Sequence, residues 1–354
     1  MFFYNRRISM KSISLFGFLG SIFLFFYFLF IGKSLLIPLV LGFFLWYLIE
    51  ATARTLYKNL PIKLQNKWTK ILTGLLGLST IIGIIFFIVY GINSNLTAII
   101  TASPEYQIKL QKILTNFLAM LPIQKPITTE MILEYVQLPV LFKAIATNMT
   151  AIVQTVFTII IFALFMFLEK NTIKSKLKAL FPEKENRSRA DKVLKNIDKK
   201  IRIFFTVKTF VSLATGILSY GVMKFAGLDF ASFWAVVIFL LNYIPTFGSI
   251  LGTIFPSLMA LIQFDNTGSI LVVFLGVGFL QMLIGNVLEP RAMGRSLNLS
   301  PFVMIVSLMI WGALWGVIGM FLCVPLMVML MLILSEFEST RPIAILMSQD
   351  GKLD

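Results

Sequence analysis

The chain has 354 residues, of which 58% are hydrophobic and 13% charged; a soluble domain, with roughly a quarter of its residues charged, is excluded, and a polytopic membrane protein is expected. The formal net charge is +15, but 13 of the 31 Lys and Arg residues fall between Lys170 and Lys208, and a basic excess gathered into one loop is a topology signal and an attraction for anionic lipid, not a nucleic-acid footprint. There is no histidine and one cysteine, Cys323, in an apolar run, so Ser-His triads, His-rich zinc sites and in-chain disulfides are excluded and any proton relay must use carboxylates.

Arg6, Arg7 and Lys11 precede an uncharged stretch, and Ile13 to Ile31 is read as the first span. No small-residue cleavage pattern follows, and a second span, Ser34 to Ile49, begins almost at once. The next loop carries Arg54, Lys58, Lys63, Lys67 and Lys70, which puts both ends of this pair on the cytoplasmic side by the positive-inside rule. Ile71 to Gly91 completes an N-terminal group of three spans, residues 1–92.

Residues 93–143 form an outer insert. Ile108, Leu110, Ile113, Leu114, Phe117, Leu118 and Leu121 recur at roughly helical spacing with Lys109, Gln111 and Lys112 between them, so Glu105 to Leu121 reads as an amphipathic helix. Thr128 or Thr129 can cap a second short helix through Val136. Such helices can lie in the interface, pack on neighbouring subunits of a homo-oligomer or roof a pore, and the sequence does not choose among these. The fourth span, Ala144 to Leu168, closes at Glu169 within the segment 144–169.

Residues 170–208 are the basic cytoplasmic loop, whose Leu177, Leu180 and Phe181 predict an interfacial helix ended by Pro182. From about Ser188 one long helix is expected to rise into the fifth span as far as Ala226, the start of a transport core over 209–335. Its basic residues read as a solvated face in contact with anionic lipid headgroups.

An uncharged run then extends from Phe230 to Phe264 and contains Asn242, Pro245, Gly248, Gly252 and Pro256. Pro245 lacks an N–H and crowds the preceding turn, and the glycines permit close backbone approach, so the segment should break inside the membrane. A broken helix in hydrocarbon must be buried in protein or line a wet cavity, which is where transporters place their sites. After a further span, Asn266 to Leu288, comes a polar connector with Glu289, Pro290, Arg291, Gly294 and Arg295. The uncharged stretch from Ser296 to Ser335 is about twice the length one span needs, so it must fold back or tilt. Its Gly312, Gly316 and Gly319 ahead of Pro325 repeat the glycine–proline arrangement of the first broken segment. Residues 336–354 are a cytoplasmic tail.

The segment Asn242-Tyr-Ile-Pro-Thr-Phe-Gly248 with Pro256, the connector Gly285-Asn-Val-Leu-Glu-Pro-Arg-Ala-Met-Gly-Arg-Ser-Leu297, and Leu299-Ser-Pro301 resemble the autoinducer-2 exporter family of bacterial membrane proteins over nearly the whole chain. The resemblance implies efflux of small molecules, as in some members, or sodium or lithium exchange for protons, as in others. One departure is the Pro245-Thr-Phe-Gly248 turn, where members commonly have Gly-Pro before the first motif glycine.

The fold expected is an all-α polytopic bundle with six full spans plus two glycine/proline-broken re-entrant hairpins, the alternative being eight simple spans. Parity and charge favour re-entry, because the loop after Phe264 has no Lys or Arg whereas the connector has two. Gln281, Asn286 and Glu289 fall within about 140° on an ideal helix, a polar stripe in the core. Glu289 reads either as a helix-end carboxylate paired with Arg291 or Arg295, or as a protonatable, cation-binding group. Asp229 and Asp265 read as loop caps. The expected pathway residues are thus Asn242, Pro245, Gly248, Gly252, Pro256, Gln281, Asn286, Glu289, Pro290, Gly294, Gly312 and Gly316. No catalytic set, metal cluster or P-loop recurs, and no cofactor is expected, so transport is gradient-coupled or passive. The function expected is export of small molecules from the bacterial cytoplasmic membrane, with a sodium(lithium)/proton antiporter as the alternative.

Overall fold

A computed structural model describes residues 17, 20–61, 66–120, 140, 149–169, 172–294 and 297–353, and every named element in it is helical. Among the described residues four helical stretches are long and apolar enough to cross a membrane: Lys33–Lys58, Lys184–Ala226, Thr267–Met293 and Pro301–Ser335. In chain order the elements are α1 (Gly20–Ile31), α2 (Lys33–Lys58), α3 (Lys67–Met120), α4 (Met149–Glu169), α5 (Ile173–Leu180), α6 (Lys184–Ala226), α7 (Ala231–Leu241), α8 (Phe247–Gln263), α9 (Thr267–Leu283), a π-turn (Ile284–Leu288), α10 (Glu289–Met293), α11 (Pro301–Ser335) and α12 (Arg341–Met347). The stretch expected as an amphipathic helix from Glu105 continues α3 without interruption through Pro104. The short helix expected from Thr128 or Thr129 to Val136 lies outside the described residues. Helix α5 ends just before Pro182, and α6 runs unbroken for 43 residues to a C-cap at Gly227.

The chain divides into two compact units. One holds Met1–Trp46, Thr158–Phe181 and Leu299–Asp354. Within it α2 and α4 meet so closely that a side chain at Gly42 would lie 2.7 Å from Phe162 Cβ. Trp315 Nε1 donates to Leu29 O at 3.0 Å, and α12 packs on α11 through Leu299, Met331, Ala344 and Met347. Helix α11 is not one crossing. Gly316 has φ 63° and ψ −145°, a conformation closed to residues with a Cβ, and a Cβ at Gly319 would fall 1.9 Å from Trp311 O. Eight residues of straight helix would hold those two positions about 12 Å apart, so the chain turns back on itself at Gly316.

The other unit comprises Tyr47–Phe157 and Pro182–Asn298, and α6 is its axis. Helices α7 and α8 form a second hairpin: a Cβ at Gly248 would meet Leu241 O at 1.8 Å, and one at Gly252 would meet Ile238 Cγ1 at 3.6 Å, an antiparallel pairing. At about 16 and 25 Å, neither arm reaches across about 30 Å of hydrocarbon. Both ends of the hairpin sit at the Ala226 end of α6, because Asp229 N donates to Gln263 Oε1 (2.7 Å) and Gln263 Nε2 donates to Gly227 O (2.9 Å). Helix α9 then runs back antiparallel to α6, from a contact of Gly276 with Val222 to an ion pair of Glu289 with Lys208. The segment from 230 to 264 therefore returns to the end it left, the arrangement that parity and charge favoured. Tyr106, Met223, Ile238, Met259, Ala260, Val273 and Val277 close the core between α3, α6, α7, α8 and α9.

Candidate functional site

The break at Pro245 follows from its missing N–H, and the surrounding turn takes up the neighbouring donors. Tyr243 N and Ile244 N bond to Leu240 O and Leu241 O, Phe247 N bonds to Pro245 O at 2.6 Å, and Gly248 N bonds to Ile244 O. Thr246, at φ 61° and ψ −56°, sits in the rare γ-turn with positive φ, a strained place for a residue with a side chain. Polarity at the break is thus carried by side chains more than by freed backbone. Asn242, buried, donates through Nδ2 to Ser212 Oγ at 3.1 Å, and the buried Tyr243 hydroxyl pairs with Thr209 Oγ1 at 2.7 Å. These bonds carry the hairpin tip about 22 Å down α6 from Gly227, within about one helical turn of Lys208.

Above the tip lies Gln281, 4% exposed, whose Nε2 and Oε1 have no hydrogen-bond partner among the described residues. The antiparallel register sets it at the level of Gly216 of α6, whose own open side faces Ala235 and Phe239 of α7. Its amide occupies space left by Gly252, where a Cβ would come within 2.7 Å of Nε2. Ser219 Oγ, fully buried on the same stretch of α6, is likewise without a partner among the described residues. In hydrocarbon each such group costs kilocalories unless something bonds to it.

Of the residues expected in the pathway, Asn242 and Glu289 bond to side chains of α6, Gly248 closes the hairpin against α7, Gly252 faces Gln281 of α9, and Pro256 is buried in α8, with Pro245 half-buried at the tip. Asn286 does not join them. The π-turn over Ile284–Leu288 inserts a residue into the helical register, which turns Asn286 outward while Gln281 is buried against Gly252 of α8 and Glu289 pairs with Lys208 of α6. The single polar stripe expected on an ideal helix is corrected accordingly. Pro290 opens α10 and Gly294 ends it at φ 54°, both exposed. Gly312 and Gly316 belong to the other unit, where they shape the hairpin of α11. Glu289 pairs with Lys208, 81 residues away, and not with Arg291; Arg295 lies outside the described residues.

Sequence reasoning missed the α6 side of the site. Lys208, Ser212, Thr215 and Ser219 are buried at spacings of four, three and four, one helical face in an otherwise apolar run. That spacing was the available signal. Away from this face, Asp229 accepts a 2.6 Å hydrogen bond from Tyr106, and Asn266 caps α9 by accepting from Gly268 N. Among the described residues no group of acidic, cysteine or histidine side chains could hold a metal ion.

The buried polar face of α6 is thus met by Asn242 and Tyr243 at the hairpin tip and by Glu289 at the start of α10. The profile described as AI-2E family transporter matches residues 16–339. The chain belongs to the AI-2E transporter family. The transporter is 29% identical over 329 residues to a Haemophilus influenzae protein provisionally named a transport protein, covering 89% of this chain and 92% of that one. A Borreliella burgdorferi protein with the same provisional name is 30% identical over 243 residues, 68% of this chain and 67% of its own length. The AI-2 transport protein TqsA of Escherichia coli K12 is 31% identical over 212 residues, 60% of each chain. The transporter is a multi-pass membrane protein and not an enzyme.

Proposed function

We propose that the transporter exports small uncharged molecules across the bacterial cytoplasmic membrane, driven by an ion gradient or by the solute's own gradient, along a path with the α7–α8 hairpin on one side and α6 and α9 on the other. The observation that carries this reading is the Gln281 amide, buried, unpartnered among the described residues and seated against Gly252. An amide so placed offers one acceptor and two donors to a passing solute. Among the described residues the one carboxylate facing this path, Glu289, is held by Lys208, which supports a neutral cargo over a cation exchanged for protons. Transport of a small molecule is supported by the name of the Escherichia coli relative, an AI-2 transport protein. The basic residues of α5 and of the first turns of α6 are assigned to anionic lipid at the cytoplasmic surface.

The test is Gln281→Leu in proteoliposomes. Replacing an unsatisfied buried amide by an apolar side chain should leave thermal stability unchanged or raise it by about 1 kcal/mol, while solute flux falls at least tenfold. Flux equal to that of the unsubstituted protein overturns the site. Proton movement driven by sodium or lithium gradients in the same vesicles would favour the antiporter instead.

A further inference from the structure

The export reading leaves Lys208 without a task beyond neutralising Glu289. It is the only fully buried lysine or arginine among the described residues, 4% exposed, and its Nζ bonds to Glu289 Oε1 across the junction of α6 with α10. A buried ion pair contributes little net stability, because the desolvation of two charges offsets their attraction. What it does that an apolar pair of equal volume cannot do is electrostatic. Each charge cancels the field of the other along a low-dielectric path, where an isolated charge would act over more than 10 Å. The neighbouring polar groups on the path, Thr209 with Tyr243 and Ser212 with Asn242, are uncharged and cannot take over that role. The nearest charged network on α6, Arg202 and Arg54 with Asp198, begins six residues or about 9 Å further along the helix, and there Asp198 pairs with both arginines.

We propose that the Lys208–Glu289 pair sets the charge selectivity of the transport path: paired, it makes the path neutral and admits uncharged solutes, and loss of either partner makes the path select solutes of the opposite charge to the one that remains. The placement of the path along α6 rests on the export reading. The assignment of selectivity to these two residues rests on their own burial and pairing, and it marks both as specificity-determining.

The experiment uses the full chain in liposomes, with Cys323→Ser and a single thiol introduced by Ser219→Cys, 11 residues or about 16 Å along the polar face from Lys208. Labelling rates are measured with neutral, anionic and cationic methanethiosulfonates and corrected for their rates with a free thiol. In this parent the neutral reagent should react about tenfold faster than either charged one. A unit charge acting over about 16 Å at an effective dielectric constant near 20 changes each charged rate about fivefold, so Glu289→Gln should raise the anionic-to-cationic ratio by roughly thirtyfold. Lys208→Met should lower it by as much, and Lys208→Met with Glu289→Gln should bring it back to within about threefold of the parent. Ratios that stay at the parent value in both single variants overturn the proposal, as does a double variant that fails to revert. If a single variant does not fold, the parent still decides: admission of either charged reagent as readily as the neutral one overturns the proposal, as does failure of all three to label. A path that labels and responds to charge while Gln281→Leu transports normally would refute the export site and leave this assignment standing.

Discussion

Substitution of Gly248 by alanine tests the hairpin on which the site is built. A Cβ there would lie 1.8 Å from Leu241 O and 2.6 Å from Leu241 C, where ordinary contact begins near 3.4 Å. The obstacle is backbone in a helical arm, so no rotamer change relieves it, and α7 and α8 must separate by about 1.5 Å. Overpacking of this kind costs about 1–3 kcal/mol, and rigid backbone on both sides places Gly248→Ala at the upper end. At about 2–4 °C per kcal/mol, the melting temperature in detergent should fall by about 6–12 °C. Gly252→Ala is the control. Its Cβ would meet Gln281 Nε2 at 2.7 Å, the free end of a flexible side chain, so the loss should stay below about 1 kcal/mol while flux falls. Thermal unfolding followed by size-exclusion chromatography reads both. A Gly248→Ala protein melting within about 2 °C of the unsubstituted chain would refute the close approach and with it the hairpin geometry.

Thr246→Gly should stabilise the protein by roughly 1 kcal/mol, since glycine adopts φ 61° without the strain a threonine bears there; a decrease in melting temperature would show that the turn is not strained. Gly319→Ala should destabilise as severely as Gly248→Ala, because its Cβ would lie 1.9 Å from Trp311 O, and an unaffected variant would mean that α11 does not fold back. Burial, then the hydrogen bond to Asp229 and its charge, hold the Tyr106 phenol well above the usual tyrosine range. The folded chain thus keeps a proton that the unfolded chain loses near pH 10, so this contribution is whole below about pH 10 and declines as pH rises further. Tyr106→Phe should flatten that alkaline decline, and identical pH profiles for the two proteins would refute the assignment.

Much of the architecture was legible in the residues because its causes are local. Pro245 has no N–H wherever it sits, so a break near Asn242 follows from the chain alone, as does a fold-back in an uncharged stretch twice the length of a span. The absence of Lys and Arg after Phe264 and their presence in the connector likewise favoured a returning hairpin before any contact was known. The site itself was legible only by half. Asn242, Gly252 and Gln281 stand out as polar or small residues in apolar runs, but Asn286 could be excluded from the path only through the π-turn, a shift in backbone register that no side-chain pattern announces. Lys208 looked like the last charge of a basic loop, and its burial against Glu289 arises from the antiparallel packing of α6 and α9, which joins residues 81 apart. Ser212 and Ser219 share a helical spacing that the sequence reading passed over, and the same face on a lipid-exposed helix would mean nothing. What gives it meaning is that the hairpin and α9 enclose it, a product of long-range packing that the chain specifies only as a whole.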